Sequence, residues 1–230
     1  MKKLVVLSGA GVSAESGIKT FRDSGGLWEG HNVMDVASPE GWNKDQQLVL
    51  DFYNERRKNA LSASPNEGHR IIAALEEWFA VTVITQNIDN LHEKAGSTNV
   101  IHLHGELFKS RSTIDEGLIY NIDGWELRQG DMCEKGSQLR PHIVWFGEMV
   151  PMMDLAVEET LSADYFIVIG TSLQVYPAAG LLEYVKPSSP IYIIDPNMPN
   201  VNSRKNLHLI EEVGSKGMQR VKEQLLFDLN

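Results

Sequence analysis

Gly9-Ala10-Gly11-Val12-Ser13-Ala14 has the pattern G-x-G-x-x-A, a relaxed form of the glycine turn that lets a backbone approach a pyrophosphate at a helix N-terminus. Alone, it reads equally well as a strand–helix turn that binds nothing. Gln86-Asn87-Ile88-Asp89-Asn90-Leu91-His92 places amides and a carboxylate just past an apolar run. Such groups can orient a carboxamide and a water, or they can cap a helix. His104 is followed by Gly105. A neutral imidazole titrates near 6.5 and can take a proton at working pH, so His104 is either a general base or a buried structural histidine. His102, two residues earlier, is read as structural and as facing away from His104. Gly170-Thr171-Ser172 is a second glycine turn able to meet phosphate or ribose, and Asp195-Pro196-Asn197 brings an acid suited to a ribose diol.

These groups need a scaffold that gathers them. Leu4–Leu7 is a short branched apolar run, as expected of a buried parallel strand. Val81–Thr85, Asn99–Leu103, Tyr165–Ile169 and Pro190–Ile194 read the same way. Between them, Asp45–Leu61, Asn66–Phe79, Asp154–Leu161, Pro177–Val185 and Gly217–Leu229 read as helices, with Ser38 as an N-cap ahead of Pro39. Ile71, Ile72, Leu75, Trp78 and Phe79 recur at helical spacing. Alternating strands and helices predict an α/β fold: a Rossmann-like parallel sheet with helices on both faces, plus a small inserted module. The expected division is residues 1–30, 67–104 and 143–230 for the Rossmann-like domain and 31–66 and 105–142 for the module, with 105–141 as irregular short strands and turns. Four strands end in polar turns, after Leu7, Thr85, Leu103 and Ile169. Such ends gather on one edge of a parallel sheet, where ligands bind.

One feature argues against simple hydride transfer. A common dinucleotide fold runs its first helix into a second strand, whose terminal acid holds the ribose about 20 residues past the glycines. Here Gly17 cuts the helix short, Asp23-Ser24-Gly25-Gly26-Leu27-Trp28 forms a loop, and the next strand waits until residue 80. A ligand at the glycine turn would be held by that inserted loop.

Composition narrows the classes further. With 230 residues and 42% hydrophobic content the chain can bury a sizeable core. Its net charge of −10 argues against non-specific nucleic-acid binding, which needs a positive footprint. Cys133 is the single cysteine, so neither a disulfide framework nor a cysteine-rich zinc site can be built. Lys2-Lys3 precedes only a short apolar run, unlike a secretion signal, and no run is long enough for a membrane span. A soluble, cytoplasmic protein is expected.

Taken in order, the motifs resemble the sirtuin family of NAD-dependent protein deacylases over nearly the whole chain. The signatures are Gly9-Ala10-Gly11-Val12-Ser13 … Ser16-Gly17-Ile18 … Phe21-Arg22, Gln86 to His92, His104-Gly105, Val144-Trp145-Phe146-Gly147-Glu148, and Gly170-Thr171-Ser172 … Val175-Tyr176-Pro177-Ala178. The resemblance implies that NAD is consumed as co-substrate and that acylated-lysine proteins are the partners. It implies that Gly9, Ala10, Gly11, Ser13, Glu15, Thr20, Phe21, Arg22 and Trp28 hold the pyrophosphate and nicotinamide ribose. Gln86, Asn87, Ile88 and Asp89 would line the nicotinamide pocket, with Asn87 and His104 catalytic. Gly170, Thr171, Ser172, Asp195, Pro196, Asn197 and Lys216 would serve the adenosine half. Val144, Phe146, Gly147 and Glu148 would form the acyl-lysine slot. The implied products are free lysine, nicotinamide and an O-acyl-ADP-ribose. An ADP-ribosyltransferase and a non-catalytic NAD- or ADP-ribose-binding protein are the competing readings.

Two further features refine the expectation. Tyr53 and Arg56 are three apart on one helix face and resemble the Tyr-x-x-Arg motif of sirtuins that remove negatively charged acyl groups. Ala37 resembles the small residue that leaves room for a longer acyl chain. A guanidinium binds a carboxylate bidentately, which acetyl-lysine does not offer. The alternative is a solvated arginine in a basic run with Arg57 and Lys58. The chain departs from the family in lacking the two Cys-x-x-Cys pairs of the insert. No zinc is expected; Leu107, Ile119, Trp125 and Leu127 are the candidates to pack the module instead. Lys19 and Asp195 also stand where the family usually has other residues.

Overall fold

A computed structural model describes residues 1–19, 27–28 and 30–229. Its centre is a six-stranded, wholly parallel sheet. The strands are β1 (Lys3–Ser8), β4 (Ala80–Thr85), β5 (Val100–His102), β9 (Tyr165–Ile169), β10 (Ile191–Ile194) and β11 (Leu207–Ile210), in the order β11-β10-β9-β1-β4-β5. From β1 the chain builds outward through β4 to β5, then returns to the other side of β1 to add β9, β10 and β11. The order reverses between β1 and β9, the place where an open α/β sheet forms its binding crevice.

Alternation along β1 supplies both cores. Leu4 and Val6 face α5 (Glu67–Ala74) and α8 (Gly214–Phe227), packing with Ile71, Ile72, Met218, Val221 and Leu225. Val5 and Leu7 face α7 (Met153–Ser162) and the 3-10 turn Ala178–Tyr184, packing with Ala156, Leu181 and Leu182. The Pro177–Val185 segment is therefore a 3-10 turn rather than the expected α-helix. The helix expected over 66–79 ends as α at Ala74 and tightens to 3-10 over Leu75–Glu77.

A third apolar cluster lies outside the sheet. There α4 (Gln46–Ser62) packs Val49, Leu50, Phe52 and Tyr53 against Leu107, Leu127, Ile143 and Trp145. Asp45 caps α4, accepting from Leu48 N–H. Ser38 caps α3 (Pro39–Lys44), accepting from Gly41 N–H at 3.0 Å, with Pro39 in the first turn as the sequence predicts. The segment expected to be irregular contains a three-stranded antiparallel sheet, ordered β7-β6-β8 from β6 (Gly105–Ser112), β7 (Ile119–Asn121) and β8 (Leu139–Ile143). Periodicity missed β6 because its buried end is polar: Ser110, Arg111 and Ser112 are inside. Of the four packing candidates, Leu107 and Leu127 are buried, Trp125 is half-buried and Ile119 is exposed.

Polar staples hold this region to α4. Arg57 is fully buried, and its guanidinium donates to the carbonyls of Trp125 (2.6 Å) and Leu107 (3.1 Å) and to Asn54 Oδ1 (2.5 Å). Asn54 in turn pairs both backbone groups of Leu127. Arg57 is thus not a solvated member of a basic run. Among the described residues, no three His, Cys, Asp or Glu side chains are grouped to hold a metal, and no helix is long and apolar enough to cross a membrane.

Candidate active site

A cleft of about 690 Å³ opens over the C-terminal ends of the strands. Gly9, Ala10, Gly11 and Ser13 line it from the turn after β1, Gln86, Asn87, Ile88 and Asp89 from the loop after β4, and Gly170, Thr171 and Ser172 from the turn after β9. His104 also lines it, as do Trp28, Ala37, Tyr53, Arg56, Val144, Phe146, Gly147 and Glu148. Of the other expected residues, Thr20, Phe21 and Arg22 lie outside the described residues, as does the loop over 23–26. Glu15, Asp195, Pro196, Asn197 and Lys216 are not on the cleft wall. The Glu15 carboxylate is committed to α8, accepting from the backbone N–H and the hydroxyl of Ser215 at 2.9 and 2.7 Å. Asp195 is buried and accepts from Asn197 N–H at 2.8 Å.

The glycine turns press against each other. A Cβ on Gly11 would stand 2.7 Å from Gly170 Cα, and one on Gly170, whose φ is +63°, would stand 2.2 Å from Val12 N. The N–H groups expected to face a ligand are largely used inside this floor. Gly9 donates to Ile169, Gly11 to Gly170, Val12 to Gly9 and Ser13 to Ala10, all at 2.8–3.1 Å. The helix that follows, α1 (Gly11–Ala14), is a single turn. The glycines are therefore explained first by the close packing of the β1 and β9 turns, which makes a continuous floor at the switch point.

Above that floor the polar groups are tied in series. Asn87 Nδ2 donates to Ser13 Oγ at 3.1 Å, and Ser13 Oγ donates to Asp89 Oδ2 at 3.0 Å. Asp89 Oδ1 accepts from Leu91 N–H, capping α6 (Leu91–Ala95). Burial outweighs these bonds and pushes the Asp89 carboxyl above its usual range. Gln86 Nε2 donates to Thr171 Oγ1 at 3.1 Å, linking the β4 loop to the β9 turn. Beneath, Ser8 Oγ donates to Thr85 Oγ1, which accepts from Asn87 N–H, and His92 Nε2 meets Ser8 Oγ at 2.9 Å. Ser8 and Thr85 at the strand ends, with His92 on α6, support the site from beneath, a role the sequence did not reveal.

His104 Nδ1 lies 3.1 Å from the Gln86 carbonyl, which can only accept. Nδ1 therefore carries the hydrogen, and Nε2 keeps its lone pair. Burial pushes the imidazole below 6.5, only partly offset by that bond, so the neutral form is favoured. His102 Nδ1 lies 3.0 Å from the next carbonyl, that of Asn87. The expectation that His102 faces away is corrected: residues two apart along a strand share a side, and both imidazoles hold the same loop.

At the far end of the cleft Arg56 stacks on Trp28, 4.4 Å from the ring centroid. Tyr53 is buried, and its hydroxyl accepts from Trp145 Nε1 at 3.2 Å. Burial pushes the Tyr53 phenol well up, so it stays protonated. Glu148 is held by Arg140 at 2.6 Å, by Arg111 at 3.2 Å and by the Trp145 N–H at 2.8 Å. Burial alone would raise its carboxyl; the Arg140 bond and these partners bring it below the usual range. Trp145, not among the expected site residues, joins Glu148 to Tyr53 and is itself covered by Arg140, 3.2 Å over its ring. Its place between Val144 and Phe146 was the available signal.

A cleft at the switch point, joined to a side pocket with a cationic end, defines the class: an open α/β protein with its ligand crevice at the C-terminal edge of a parallel sheet. The Sir2 family pattern matches residues 9–177, and the chain belongs to that family. The chain is 51% identical over 231 residues to an NAD-dependent protein deacylase of Bacteroides thetaiotaomicron, covering 98% of this chain and 99% of that one. It is 51% identical over 228 residues to an NAD-dependent protein deacylase of Helicobacter pylori, covering 98% of each. A Sir2 homologue solved with NAD superposes with a TM-score of 0.89 at 39% identity, covering 100% of this chain and 91% of that one. A Sir2 solved with 2′-O-acetyl-ADP-ribose and a deacetylated p53 peptide superposes at 0.79 with 31% identity, covering 96% and 93%.

Proposed function

We propose that this protein is an NAD-dependent protein-lysine deacylase that acts on acetyl-lysine and on acidic acyl-lysines such as succinyl- and malonyl-lysine. The observation that carries the reading is one continuous cleft running from the glycine floor, past His104, to Tyr53 and Arg56. The volume and the three strand-end turns fit a dinucleotide. Gly9, Gly11 and Gly170 form its floor, and Asn87 and Asp89, already oriented through Ser13, meet its nicotinamide end. NAD, when bound, would supply the activated ribose carbon, nicotinamide as its leaving group, and a ribose hydroxyl to accept the acyl group.

The chain's own residues do the rest. Asn87 and Asp89 orient the carboxamide. His104 takes a proton at Nε2 while Nδ1 stays on the Gln86 carbonyl. Val144 and Phe146 wall the slot and keep water out. In the side pocket Tyr53 has its acceptor capacity engaged by Trp145, so its own O–H is the group left to donate to an acyl carboxylate. Arg56 stands over Trp28 at the end of the pocket, and a guanidinium recognises a carboxylate through charge-assisted hydrogen bonds. Both groups favour an acyl chain that ends in a negative charge.

The test is mass spectrometry of acetyl- and succinyl-lysine peptides with and without NAD. NAD-dependent loss of the acyl mass, with nicotinamide and O-acyl-ADP-ribose formed in equal amounts, supports the reading. NAD turnover that leaves both peptides unchanged overturns it.

A further inference from the structure

His102 ends β5, is 9% exposed at its side chain, and has both ring nitrogens engaged by acceptors. Nδ1 lies 3.0 Å from the Asn87 carbonyl and Nε2 lies 2.6 Å from Glu93 Oε1. A carbonyl and a carboxylate have no hydrogens to offer, so each ring nitrogen supplies one. A ring with two N–H groups is a cation, and its bond to a carboxylate is charge-assisted and short.

We propose that His102 and Glu93 are a positioning pair for the reaction: the charged imidazole, steadied by Glu93, fixes the Asn87 carbonyl and so sets the Gln86–Asp89 loop against Ser13. The pair completes a regular arrangement. His104 holds the Gln86 carbonyl and His102 holds the Asn87 carbonyl, two consecutive peptide groups held by two side chains from one strand end. From these peptides hang the Gln86 amide that reaches Thr171 and the Asn87 amide that reaches Ser13. Neither histidine can substitute for the other. His104 keeps a lone pair and acts as a base; His102 has both nitrogens protonated and acts as a clamp.

The surroundings of His102 are consistent with a cation. From α6 come Glu93 and His92, from β6 come Glu106 and Lys109, and from the loop comes Asp89. Glu106 is itself paired with Lys109 at 2.8 Å, which leaves Glu93 as the carboxylate that bonds the ring. Burial pushes the His102 imidazole down, but the bond to Glu93 and its charge outweigh this and raise it above 6.5. The His102 charge also opposes the burial that raises the Asp89 carboxyl.

The effect on turnover rests on the deacylase reading; the ring's protonation does not, so two readouts separate them. The first is the nitrogen-15 and proton NMR titration of the His102 ring in the whole protein. Wild type is expected to titrate above Glu93→Gln by about one pH unit or more; equal midpoints overturn the pair. The second is kinetic. His102→Leu is expected to lower kcat/KM for NAD by about tenfold while leaving KM for the acyl-peptide within about twofold. Glu93→Gln, a change at a 41% exposed side chain, is expected to match wild type at low pH and fall behind as pH rises through the new His102 midpoint. A folded His102→Leu protein with wild-type kcat/KM for NAD overturns the proposal. If that variant does not fold, a Glu93→Gln profile parallel to wild type overturns it instead. Undiminished turnover in His104→Ala would refute the reading of the site, and the NMR titration would still decide the pair.

Discussion

Trp145 Nε1 donates to the Tyr53 hydroxyl across 3.2 Å, joining the cleft wall to the helix that carries Arg56. The bond fixes the direction of Tyr53: its oxygen accepts from the indole, and its proton is left for whatever enters the pocket. Tyr53→Phe removes both functions. It leaves a buried indole N–H unpaired, so stability should fall by about 1–3 kcal/mol in urea unfolding. KM should rise more for a succinyl-lysine peptide than for its acetyl counterpart. An equal rise for both peptides would mean that Tyr53 only shapes the wall.

Arg56 makes the sharper distinction between substrates. Arg56→Met keeps much of the side chain's apolar length and removes the charge that stands over Trp28 and Phe52. Desuccinylation should fall by about tenfold or more, as expected for a lost charge-assisted pair, with deacetylation little changed. Peptide mass spectrometry on the two substrates measures the ratio. Intact desuccinylation in this variant would refute the assignment.

Arg57, the next residue, should behave in the opposite way. Its guanidinium is buried and holds the Trp125 and Leu107 carbonyls and Asn54, and burial lowers it to about 10. Arg57→Met should cost about 3 kcal/mol or more of stability, because three acceptors, two of them buried, lose a charged donor. Prolonged chelation of wild type is expected to leave Tm unchanged, since the Arg57 bonds tie α4 to β6 and to the loop that follows β7. A fall in Tm on chelation would contradict that account.

Stability should also depend on pH through two buried histidines. His69 and His92 lie with ring centroids 4.9 Å apart, and among the described residues His69 Nε2 and His92 Nδ1 have no hydrogen-bond partner. Burial lowers His69 to about 4 and His92 well below 6.5. The unfolded chain, titrating near 6.5, binds more protons than the folded one between those values. Stability from this pair is therefore complete above pH 6.5 and lost as pH falls toward 4, by roughly 1.4 kcal/mol per pH unit for each histidine. Urea unfolding at pH 7 and pH 5 measures the slope, and His69→Gln should flatten it. An unchanged slope in that variant would show that other groups set the acid limb.

Much of the fold was legible in the sequence because parallel strands buried on both faces are continuous apolar runs. Leu4–Leu7, Val81–Thr85 and Tyr165–Ile169 stand out for that reason. The polar turn after each run marked the cleft, since only one edge of such a sheet can hold them together. What stayed hidden was polar burial. Arg57 looks like surface charge because sequence cannot show three carbonyls converging on it, and β6 ends in Ser110-Arg111-Ser112, which carries no apolar alternation. The edge strand β11 has two exposed positions and a histidine, too little pattern to separate it from loop. The glycine fingerprint was found, but its first role is to let two turns touch.

The most direct test of the central claim is His104→Ala, with NAD binding followed by calorimetry and acyl removal by mass spectrometry on the same sample. The proposed base role of His104 predicts that the variant binds NAD within a few-fold of wild type and loses about 100-fold or more of its acyl removal. Because burial keeps the imidazole below 6.5, wild-type activity should fall on the acid side only below that pH. A His104→Ala protein that removes acyl groups at the wild-type rate would contradict the account.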